Sequence, residues 1–96
     1  MDYEFKTTFW MDFTIADHFG ADAVKDTFER AFKEWRSDVV YVTELSLVLN
    51  WKCWQHYEKG DEKLSQLYSD LYYEVNGWCY DNLKGADLEY YWRTTD

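Results

Sequence analysis

No proline interrupts this chain, and glycine occurs only at positions 20, 60, 77 and 85. Sharp turns and broken hydrogen-bond ladders draw on these two residue types, so their scarcity favours long, uninterrupted helices. The longest such stretch, VVYVTELSLVLNWKCWQHYEKG, ends at Gly60 and follows Ser37 and Asp38, which offer a cap. Its first four residues alone would suit a strand. Its length of about 20 residues and its continuous helical register argue for a central helix instead. Val42, Leu45, Val48 and Leu49 make one stripe, and Leu47, Trp51 and Trp54 are expected to widen it.

On either side the same period recurs. From Ala21, the residues Val24, Phe28, Ala31, Phe32 and Trp35 lie at helical spacing. Asp26 with Arg30 and Glu29 with Lys33 stand as i,i+4 ion pairs on the other face. A fourth helix is expected from about Asp61 to about Leu83, along Leu64, Leu67, Tyr68, Leu71, Val75 and Trp78. That stripe passes Gly77 without a change of phase, which places the glycine inside the helix, and Gly85 closes it. In ADLEYYWRTTD, Leu88 and Trp92 are expected to pack back on the bundle.

Residues 3 to 15 read two ways. Tyr3, Phe5, Phe9, Met11, Phe13 and Ile15 alternate as a strand would, while Phe9, Phe13 and Ala16 fit a helix with Thr8 as its cap. A lone strand has no evident partner, so the expectation is a short extended start and then a helix to about Phe19. The fold class predicted is mainly α: one domain over residues 1–96, a compact bundle of about four helices plus a short C-terminal helix.

Charge narrows the function. Nineteen acidic against ten basic residues leave a net −9, unsuited to direct contact with nucleic acid or anionic membranes and suited to basic surfaces. Six Trp, nine Tyr and six Phe exceed what so small an interior needs, so some are expected at the surface as interface anchors. No apolar run is long enough to span a bilayer, and MDYEFKTTFWMDF lacks the basic and apolar regions of a signal peptide. With two cysteines read as free thiols, the expected location is the cytoplasm.

Cys53 and His56, in WKCWQHYEKG, are the one close pair of soft metal ligands; His18 and Cys79 stand apart. Structural zinc sites bring ligands in two close pairs, and a thiol nucleophile needs an oriented base and an oxyanion site as well. The pair therefore reads as core packing with a polar end, and no metal, cofactor or catalytic residue is expected. A Cys53–Cys79 disulfide would suit packed third and fourth helices but not a reducing compartment.

More informative is the polar face of the fourth helix. Glu62, Asp70, Glu74 and Asp81 fall within an arc of about 120° opposite the leucine stripe, interrupted by Lys63 and Lys84. Tyr73 and Tyr80 share that face on either side of Gly77. Solvated acids and tyrosines are commonly innocent; together they also describe aromatic anchors with a charged rim. These six residues are the candidate partner-binding set.

The runs FKTTFWMDFTIADHFG, VLNWKCWQHYEKG and DNLKGADLEYYWRTTD resemble a family of small acidic proteins carried by integrative elements and phages of Gram-positive gut bacteria. That family has no assigned activity, so no catalytic residue carries over. The resemblance implies mobile-element cargo, a class that includes anti-CRISPR and other anti-defence inhibitors. The expected function is thus a non-enzymatic inhibitor in the host cell. Its carboxylates would mimic DNA phosphates on a basic nucleic-acid-binding protein such as a CRISPR effector nuclease. The alternative is a self-associating module, a homodimer built on the spare aromatics.

Overall fold

The computed structural model describes residues 8–95. They form five helices: α1 (Thr8–Phe19), α2 (Ala21–Trp35), α3 (Val39–Glu58), α4 (Glu62–Asn82) and α5 (Ala86–Thr95). Four make a compact bundle, and α5 is the short C-terminal addition. The strand-like alternation of residues 9–15 is overridden by α1; the extended start proposed before it lies outside the described residues.

Three glycines set the corners. Gly60, at φ 81°, ends α3 in a Schellman motif: Gly60 N–H donates to the Tyr57 carbonyl and Asp61 N–H to that of His56. Asp61 then caps α4, its Oδ1 accepting from Leu64 N–H at 3.1 Å. Asp38 does the same for α3, accepting from Val40 and Tyr41 N–H. Gly77 lies within α4, as its phase implies.

α3 is the hub, packing on each of the other four helices and most extensively on α4. Val42, Leu45, Val48 and Leu49 are fully buried, against Phe13, Val24, Phe28, Leu71 and Val75. Side chains of this size contribute roughly 1.5–3 kcal/mol each when removed from water.

Three expectations require correction. Trp54 does not widen the α3 stripe but is 55% exposed, with Trp51 at the surface beside it. In α5 the buried residue is Tyr91 rather than Trp92, which lies one position on and faces solvent. The α2 ion pairs do not form within 4.0 Å; Arg30 Nε donates instead to the Asp26 carbonyl. The cysteines are free thiols as expected, Cys79 fully buried and Cys53 partly so.

Candidate functional site

Two arrangements carry polar chemistry. The first is the outer face of α4, where all six candidate residues, Glu62, Asp70, Tyr73, Glu74, Tyr80 and Asp81, are exposed. A helix rises 1.5 Å per residue, so the acids extend along about 28 Å of axis. Among the described residues no lysine or arginine pairs with any of the four; Asp70 accepts only from Gln66 Nε2, at 2.9 Å. Their charge therefore remains available to a partner.

Tyr73 and Tyr80 are 66% and 49% exposed. Each leans edge-on against a second tyrosine, Tyr73 on Tyr72 and Tyr80 on Tyr91, at centroid distances of 5.3 and 6.1 Å. These edge contacts steady the rings while leaving much of their surface open. Beside Tyr80 is a cavity of about 290 Å³ whose lining includes Leu88, Trp92 and Glu89. The Glu89 carboxylate is held by Arg93 at 2.6 Å. The face thus combines unpaired acids, half-exposed rings and a small apolar recess.

The second arrangement escaped the sequence reading. Lys52, 1% exposed, spends all three ammonium donors: on Thr14 Oγ1 at 2.8 Å, Asp17 Oδ2 at 3.0 Å and Gln55 Oε1 at 3.1 Å. It also lies 4.4 Å from the centre of the Trp10 ring. Asp17 accepts from His56 Nε2 on the same oxygen, at 2.9 Å, and from the Tyr68 hydroxyl on the other, at 2.5 Å. His56 stacks on Tyr68 with nearly parallel rings.

His56 is therefore not the polar end of α3 but part of a buried network, and its partner is Asp17 rather than Cys53. The Cys53 sulfur faces Ser65 Oγ at 3.6 Å, and that hydroxyl in turn donates to the Cys53 carbonyl. No thiol–imidazole pair exists here, and among the described residues no three His, Cys, Asp or Glu side chains group to hold a metal.

Burial lowers the Lys52 pKa, opposed by the bond to Asp17 and its charge. Burial raises that of Tyr68, helped by the same carboxylate. All three donors of the ammonium are committed and it is closed to solvent, so the network fastens α1, α3 and α4 together. Its signal in the sequence was phase: Leu45, Leu49, Lys52 and His56 share one stripe of α3.

No family model, curated protein or solved structure matches this chain. Among the described residues no helix is long and apolar enough to cross a membrane.

Proposed function

We propose that this protein is a binding module without catalysis of its own, which lays the outer face of α4 against a basic surface of a partner protein. The observation that carries the reading is the set of exposed, unpaired carboxylates at Glu62, Asp70, Glu74 and Asp81, interleaved with the open rings of Tyr73 and Tyr80. Carboxylates replace phosphates against Lys and Arg, which hold either anion in the same bidentate way. The rings add contact that salt does not screen. A basic surface of that kind belongs to a nucleic-acid-binding protein, and occupying it inhibits the partner, as an anti-CRISPR or other anti-defence factor would.

The test is capture of partners on the tagged protein, eluted first with duplex DNA and then with high salt. Release of one nucleic-acid-binding protein by DNA, weakened by Glu62→Lys with Asp70→Lys, supports mimicry. Retention through both elutions would assign the hold to the tyrosines. The exposed aromatics of α3, Trp54 and Tyr57, favour a second reading, self-association. A dimer that persists in high salt and loses Tyr73 and Tyr80 from solvent would replace the first.

A further inference from the structure

A groove of about 600 Å³ runs between α1 and α2, and none of its lining residues comes from α4 or α5. It exists because α1 and α2 meet there through small side chains: Ala16, Ala23 and Ala31 contribute to its floor. Larger residues at these positions would have filled it.

One wall is unusually apolar. Ile15 and Phe19 line the groove at 54% and 78% exposure, and Met11, one turn before Ile15, is 64% exposed. At i, i+4 and i+8 these three form a continuous ridge on the outer side of α1, while Phe9, Phe13 and Ala16 fill its inner side. A water-facing ridge beside an apolar trough is the shape into which a second helix lays its apolar face.

Charge selects the occupant. Asp12, Asp26 and Glu34 line the groove against a single cation, Arg30. A second copy of this chain would bring the same acidic excess to a self-complementary interface, between molecules of net charge −9 each. Like charges so placed oppose association. An incoming helix with lysines or arginines flanking its apolar stripe would meet opposite charge along the groove.

We propose that the α1–α2 groove docks a basic amphipathic helix of a partner protein, its apolar side chains entering over Ala16, Ala23 and Ala31 and its cations meeting Asp12, Asp26 and Glu34. This is a second contact surface, and it does not depend on the acids of α4.

The test uses two synthetic helical peptides with the same apolar face at i, i+3, i+4 and i+7, one flanked by Lys and Arg, the other by Glu. Each is titrated into the isotope-labelled full chain while backbone amide resonances are followed. The basic peptide is expected to shift the amides around Ala16, Ala23 and Ala31 saturably. It should bind roughly tenfold or more tighter than the acidic one, with the gap narrowing as salt is added. Ala23→Phe should abolish the shifts. Glu34→Lys, an exposed change that leaves the core untouched, should erase much of the preference for the basic peptide.

Absence of saturable shifts overturns the proposal, as does equal affinity for the two peptides. Shifts confined to α4 overturn it too, and would speak for the acidic face instead. Concentration-dependent dimerisation mapping to the same amides would make the occupant a second copy. Proton contacts from Tyr3 or Phe5 onto Ala23 in the free protein would make it the chain's own first residues. Either result replaces the partner helix.

Discussion

Lys52 Nζ lies 3.0 Å from Oδ2 of Asp17, and the two residues are brought together from different helices, 35 positions apart in the chain. The lysine is sealed while 14% of the Asp17 side chain remains exposed. This asymmetry makes the two halves of the pair unequal. Asp17→Asn strands a buried ammonium and is expected to cost about 3 kcal/mol or more. Lys52→Met leaves Asp17 with His56 and Tyr68 as donors and some access to water, and should cost about half as much. Urea unfolding of the two variants decides it; equal losses would mean that the carboxylate is not the centre of the network.

Thr43 presents the opposite situation. Its hydroxyl, on α3, is buried and has no hydrogen-bond partner among the described residues. Thr43→Val keeps the shape and removes the orphaned group, so stability should rise by about 1 kcal/mol. A drop in the unfolding midpoint would show that the hydroxyl has a partner in solution.

Gly77 occupies an ordinary helical position, and a Cβ added there meets nothing within 4 Å. Gly77→Ala should stabilise α4 by roughly 0.5–1 kcal/mol through lost freedom in the unfolded chain. The same change at Gly60, where φ is 81°, should destabilise. If Gly77→Ala keeps its stability gain but weakens partner capture, the open strip between Tyr73 and Tyr80 is itself part of the contact.

Alkaline pH should act through the buried hydroxyls and thiol. Burial pushes the Cys79 thiol from 9.0 up to about 12, and raises Tyr68, Tyr72 and Tyr91 above 10.0. For these four the folded chain keeps protons that the unfolded chain gives up. Their contribution is complete below the unfolded values and declines as pH climbs past 9.0 and 10.0. Lys52 works the other way, since its lowered pKa makes stability rise with pH up to 10.5. Four groups against one predict a net loss, read as a falling urea midpoint between pH 9.0 and 10.5, with a shallower fall in Tyr68→Phe.

How much of this was legible in the sequence depends on how far apart the deciding residues stand. Helices α2, α3 and α4 announce themselves because apolar residues a turn apart must share a face, and Gly60 and Asp61 mark the corner between two of them. The acids of α4 followed from the same phase, since they lie opposite Leu64, Leu71 and Val75. Lys52 and Asp17 did not, because a charged residue is expected at the surface unless paired, and the pairing is a tertiary fact. Tyr91 and Trp92 are neighbours on a short helix with few apolar residues to set its phase. Packing against Ser46 and Asn76 chose between them: the Tyr91 hydroxyl donates to Asn76 Oδ1 at 2.9 Å, which leaves Ser46 Oγ, 3.0 Å away, to donate to it.

That choice leaves α5 fastened by a single fully buried side chain, and the Tyr91 hydroxyl lies close to the buried thiol of Cys79. Lifting α5 is therefore what uncovers the thiol. A thiol reagent added to the folded protein would then run as a clock on that opening: quick for Cys53, which already reaches solvent, and slow for Cys79. Tyr91→Ala should bring the two rates together while the other four helices stay closed.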